Sequence, residues 1–148
     1  MARIFMARIF IAAASAAGLA LLGAAPATAV EAPSSQTVCG ASGLQAGLLT
    51  RVCAEVNGDQ VQVFGRISLA GPPTPGSPAP RPQELRVVLT GDSPAGTVSR
   101  DVRFTGSTVE VRGIGGTVAC GTGVRAAFSV QSFPWPSRPA TLDLPTAC

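Results

Sequence analysis

The feature that most constrains the fold is a change of period at Leu48. From there, side chains of like character recur at every second position. Leu48, Thr50, Val52, Ala54 and Val56 share one face of an extended chain, and Arg51, Cys53 and Glu55 share the other. Asn57-Gly58 follows, a pair that tolerates positive φ and favours a hairpin. The returning stretch sets Val61, Val63, Ile67 and Leu69 on one face, with Gln62, Phe64, Arg66 and Ser68 opposite. Gly65 interrupts that stretch and marks a bulge or a close packing contact. Two alternating runs around such a turn read as an antiparallel hairpin with one buried face.

The pattern continues downstream. Residues 84–90 align Leu85, Val87 and Leu89, and Gly91-Asp92-Ser93-Pro94 reads as a turn. Residues 97–104 align Val98, Val102 and Phe104, with Arg100 at the same parity, which places Arg100 near a sheet edge. Val109 and Val111 begin another strand. Gly113-Ile114-Gly115-Gly116 reads as a turn before a short strand over 117–120. Gly121-Thr122-Gly123 turns the chain again. Val124, Ala126, Phe128 and Val130 form the next inward row, and residues 141–144 form the last strand. Residues 30–47 are rich in Ser, Ala and Gly and read as an irregular lead-in. The expectation is an all-β chain, a single Ig-like or fibronectin-like sandwich of about 7–8 short antiparallel strands over 48–148.

The segment 71–82, GPPTPGSPAPRP, has proline at six of its twelve positions. Proline donates no backbone hydrogen bond, so no strand ladder can run through it. It reads as a polyproline-like loop crossing between two sheets, or as a stiff recognition loop.

Ahead of the domain, Arg3 and Arg8 give a positive start and residues 9–25 are uncharged and mostly apolar. Pro26 then breaks a helix just before Ala27-Thr28-Ala29. Charge, apolar run and small-residue site come in the order of a secretory signal peptide over 1–29, cleaved between Ala29 and Val30. The run is short and rich in Ala and Gly for a membrane anchor. The expected location is extracellular, with no membrane attachment after cleavage. Residues 1–5 and 6–10 both read MARIF, a duplicated or ambiguous start with no bearing on the fold.

Arg3 and Arg8 belong to that leader, so nine arginines against eight acids remain, a formal net of +1. The arginines are scattered, which argues against binding nucleic acid, where clustered cations neutralise phosphates. The chain has no His, Lys or Tyr. The lack of His rules out Ser-His and Cys-His nucleophile pairs and imidazole metal ligands. The lack of Lys rules out Schiff-base chemistry. No GxSxG, HExxH, phosphate-loop or dinucleotide motif occurs. Glu55, Asp59, Glu84, Asp92, Asp101 and Glu110 are spread over separate strands, and nothing in the sequence makes two of them converge. The expected activity is therefore non-enzymatic, with no cofactor and no metal.

Cys39, Cys53, Cys120 and Cys148 are an even set in a chain with a secretory leader, and two disulfides are expected. The favoured pairing is Cys39–Cys53 with Cys120–Cys148, pinning the lead-in and the tail; Cys39–Cys148 with Cys53–Cys120 is the alternative. Phe133 and Trp135 are the candidate ligand-binding residues. Trp135 is the single Trp and sits between two prolines. Such an aromatic can anchor a partner or stack on a sugar, or fold back to cap the core.

The leader ending ATA, the Arg-only basic set, the local cysteine pairs and the alternation of RVCAEVNGDQVQVFGRISL resemble small secreted β-sandwich proteins of actinomycete type. The size, secretion and paired cysteines also resemble the enediyne apo-chromoproteins, whose disulfides close shorter hairpins. Secreted subtilisin-type protease inhibitors share the two disulfides, but no reactive-site loop flanked by cysteines is present here. The leader, the even cysteines, the period-two pattern and the absence of catalytic residues lead to the expectation of a secreted, monomeric, non-enzymatic binding domain for an extracellular protein, glycan or small ligand, with small-ligand carriage or inhibition of an extracellular enzyme as alternatives.

Overall fold

The structure is a computed structural model that describes residues 35–131 and 138–145. All of them belong to the compact unit Glu31–Cys148. The expected leader, Phe133, Trp135 and Cys148 lie outside the described residues.

The described chain is all-β, with nine strands and no helix. They are β1 (Gln36–Cys39), β2 (Gly43–Gln45), β3 (Leu48–Asn57), β4 (Gln60–Leu69), β5 (Gln83–Ser93), β6 (Ala95–Phe104), β7 (Val109–Thr117), β8 (Val124–Gln131) and β9 (Ala140–Leu144). Every pairing is antiparallel. One sheet has the order β1-β3-β4-β7, with β2 also paired to β3; the other runs β6-β5-β8-β9. Val52, Val63, Ile67 and Val111 from the first sheet and Val87, Leu89, Phe128 and Val130 from the second are fully buried in one core. This is a β-sandwich, stabilised by apolar area removed from water at about 25 cal/mol per Å².

The hairpin at the front of the domain has the faces expected from its alternation. Asn57 pairs with Gln60, leaving Gly58-Asp59 as a two-residue loop. Positive φ falls on Gly58, the first loop position, at +62°, where a II′ turn places glycine. Gly65 is a close packing contact: a side chain there would run into the Phe128 ring of the opposite sheet.

The two antiparallel sheets are the β-sandwich expected from the alternation. Here β3 and β4 are joined by two residues and stay in one sheet. So short a turn cannot span the ~10 Å between packed sheets. The first crossing is instead made by the proline-rich segment, which links β4 to β5 and is exposed from residue 70 to 84. Within it Ser77 N–H donates to Thr74 O at 2.9 Å. Gly76 lies at φ +86°, so Thr74-Pro75-Gly76-Ser77 has the residues and φ of a type II turn.

Three further local expectations change. Residues 36–39 and 43–45 of the lead-in are strands, because both pair along the same edge of β3. Between them Gly40 N–H donates to Val52 O at 2.9 Å. A Cβ at Gly40 would collide with the Thr141 carbonyl of β9, so only glycine lets these two sheet edges approach. Second, Gly113 to Gly116 form no turn: β7 runs through them to Thr117, and residues 118–119 are not strand. The ladder with β4 absorbs the irregularity as a register shift at Val63/Phe64, with Gly113 at φ +144°. Third, the turn read at Gly91-Asp92-Ser93-Pro94 is tighter: Asp92 pairs with Ala95 and only Ser93-Pro94 lies between. Arg100 sits on β6, an edge strand as expected. Arg100 is exposed there, and a charge on an edge strand is one of the devices that blunt a sheet edge.

Candidate functional site

The outer face of the five-stranded sheet carries the most organised group of polar side chains among the described residues. Alternation directs Arg51, Cys53 and Glu55 of β3 and Phe64 and Arg66 of β4 to this face. Glu110 and Arg112 of β7 share it, because the β7 register sets Glu110 opposite Arg66 and Arg112 opposite Phe64.

Arg112 is the centre of the group. Its Nη1 and Nη2 donate to Glu55 Oε2 and Oε1 at 3.0 and 2.8 Å, a bidentate pair across β4. Its Nε and Nη2 also donate to Glu110 Oε2 at 3.1 and 2.9 Å. Arg66 Nη2 donates to Glu110 Oε1 at 2.7 Å. Both guanidinium groups lie over Phe64, with Arg112 Cζ 4.4 Å and Arg66 Cζ 5.6 Å from the ring centroid. These are cation–π distances, and they explain how an aromatic on the outer face is only 1% exposed. The stems and heads of two arginines cover it.

The electrostatics follow from these bonds. The hydrogen bonds from Arg112 hold the Glu55 carboxyl below its ordinary pKa. Those from Arg66 first, and Arg112 next, do the same to Glu110. Glu55 and then Glu110 hold the Arg112 guanidinium above its ordinary value. The two acids therefore converge, contrary to the sequence expectation, but on an arginine. Each is tied as a charged acceptor.

Beside this lattice lies apolar surface. Leu49 is on the same face two residues before Arg51, and Leu44 pairs with Leu49 from β2. Leu44 is 68% exposed. The Cys39–Cys53 disulfide, as expected, lies on this face and ties β1 to β3 at directly opposed positions. Cys120 is also disulfide-bonded; its expected partner, Cys148, lies outside the described residues.

The other sheet's outer face holds a shallow depression of about 280 Å³ over β5, β8 and β9, lined by Thr90, Asp92, Arg125, Ala127, Thr141 and Asp143. Arg125 Nε and Asp143 Oδ2 are 3.4 Å apart at its rim. Among the described residues no group of three or more His, Cys, Asp or Glu is placed to hold a metal ion, and no helix is long and apolar enough to cross a membrane. The disulfide is compatible with an extracellular setting.

Sequence reasoning missed Leu44, Phe64, Glu110 and Arg112 as a group. The i, i+2 spacing of Glu110 and Arg112 put them on one face. Their partners were hidden because β7 pairs with β4, which sets Glu110 opposite Arg66, 44 residues earlier in the chain. No known protein family, curated protein or solved structure matches the chain.

Proposed function

We propose that this chain is a secreted, non-enzymatic binding domain that engages an extracellular partner through the outer face of its five-stranded sheet. One observation carries the reading: a pre-set Arg112–Glu55–Glu110–Arg66 lattice over Phe64 stands beside the 68% exposed Leu44. Arginine is enriched at the energetic centres of interfaces. Side chains already fixed before binding lose less entropy on complex formation. The 1–29 leader features and the Cys39–Cys53 bond support secretion.

The test is capture of extracellular and cell-envelope proteins by the chain recovered from culture medium. Leu44→Asp is compared with Thr141→Ser on the other sheet. A specific partner retained by Thr141→Ser and lost with Leu44→Asp supports the reading. A partner equally bound by both variants places recognition elsewhere. Deleting residues 72–80 separately tests the inhibitor alternative, which draws on the exposed proline-rich segment. The carrier alternative draws on the depression near Ala127, whose volume is at the small end of ligand pockets.

A further inference from the structure

We infer that Arg51 and Arg66 form a binding site for a carboxylate, supplied by an acidic partner peptide with an apolar residue two positions away. The inference rests on the binding-domain reading and names the chemistry of its occupant.

The two arginines are directly opposed in the β3–β4 register and share the outer face. Opposed residues on paired strands have Cβ atoms about 5 Å apart, and like charges there are destabilising. The face carries Arg51, Arg66 and Arg112 against Glu55 and Glu110, so one positive charge is uncompensated. Its location is defined: both glutamates are engaged by Arg112, and Glu110 also by Arg66. Arg51 has no carboxylate partner among the described residues. Arg66 is held by one Nη2 bond to Glu110 and by the Phe64 ring, while its Nε is buried without an acceptor. An incoming carboxylate has two oxygens to share between two guanidinium groups, and charge-assisted bonds to arginine are the strong ones. It would also relieve the repulsion between the two cations.

The surroundings select what carries the carboxylate. Leu49 lies two residues from Arg51 on β3, about 7 Å along the strand, and Leu44 flanks it from β2. That distance is the i to i+2 spacing of an extended peptide. A segment with an acid and an apolar residue two positions apart would meet both features at once. A free anion would use only the arginines.

The test uses the full secreted chain and short capped peptides carrying Leu-Ser-Glu or Glu-Ser-Leu, since either strand direction satisfies the spacing. Binding is followed by NMR on the arginine Nε–H signals. The expected result is saturable displacement of the Arg51 and Arg66 signals by at least one of the two peptides. Replacing its Glu by Gln, or its Leu by Ser, weakens the affinity several-fold. Arg51→Gln weakens it about tenfold, and Arg51→Lys, which keeps the charge and loses the fork, falls between. Arg86→Gln, on the other sheet and paired with Asp101, leaves it unchanged.

Equal binding of the Gln peptide overturns the inference, as does acetate saturating the same signals with the same affinity. Unchanged binding by an Arg51→Gln variant that melts like the parent also overturns it. A captured partner lost with Leu44→Asp but held fully by Arg51→Gln would leave the binding face standing and remove the carboxylate site.

Discussion

Val130 N–H donates to Gln45 Oε1 at 2.7 Å, across 85 residues of sequence and from one sheet to the other. The same amide donates through Nε2 to Phe128 O at 3.1 Å and to Thr50 Oγ1 at 2.7 Å. Thr50 in turn donates to Gly43 O at 3.1 Å. The ladder of β8 with β9 ends at Phe128 paired with Ala140. Beyond that point a side-chain amide takes over the pairing of the β8 backbone. Gln45 and Thr50 are 2% and 0% exposed, so the network lies in the core, where every unmet polar group costs free energy.

Gln45→Leu removes a donor and an acceptor but keeps the bulk. The Val130 N–H is left buried and unpaired, and Phe128 O and Thr50 lose a partner. The expected loss is about 2–4 kcal/mol, read as a lower urea midpoint at constant slope. A change below about 0.5 kcal/mol would show that the network contributes nothing net.

The contact between Gly65 and Phe128 predicts a second large effect. A methyl at Gly65 meets the fully buried Phe128 ring. Gly65→Ala is expected to destabilise the fold by about 2–3 kcal/mol. The double variant Gly65→Ala with Phe128→Leu should lose less than the sum of the two single losses, because the smaller side chain makes room. Additive losses would mean the two sites are not in contact.

Ala46 and Gly47 close the β2–β3 hairpin at φ +51° and +74°. Positive φ at both positions is the type I′ requirement, and alanine meets it at a steric cost. Ala46→Gly should raise stability by about 0.5–1 kcal/mol, and Ala46→Val should lower it by at least as much. A lower melting temperature for the glycine variant would contradict this.

Glu55 and Glu110 give an acid-limb prediction. Both carboxyls have folded pKa values below the ordinary 4.5. The stabilisation they bring is therefore present above that value and fades as pH falls through the folded pKa values. The parent should lose melting temperature on acidification more steeply than a Glu55→Gln, Glu110→Gln double variant, with the two curves converging below pH 4.5. Parallel curves from neutral pH to strongly acidic pH would show that the Arg112 lattice does not contribute to stability.

The local layers of this protein were written in the sequence. The β3–β4 hairpin, the inward rows of β5 and β8 and the Cys39–Cys53 bond all depend on period, turn residues or short separation. Such features act between near neighbours, so the residues alone carry them. The lead-in was misread because residues 36–45 have little alternation of their own; they become strands only because the edge of β3 offers them partners. The glycines of 113–116 were misread as a turn for the same reason: pairing with β4 extends a segment whose own preference is to bend.

What only the tertiary structure decided is which distant strands meet. Gln45 becomes a core residue when β8 passes in front of it. Glu110 and Arg112 form a lattice with Glu55 and Arg66 because β7 returns to β4 after crossing to the other sheet and back. Backbone periodicity fixes which face a side chain uses and says nothing of the neighbour strand. That choice depends on burying both apolar faces at once, a property of the whole chain.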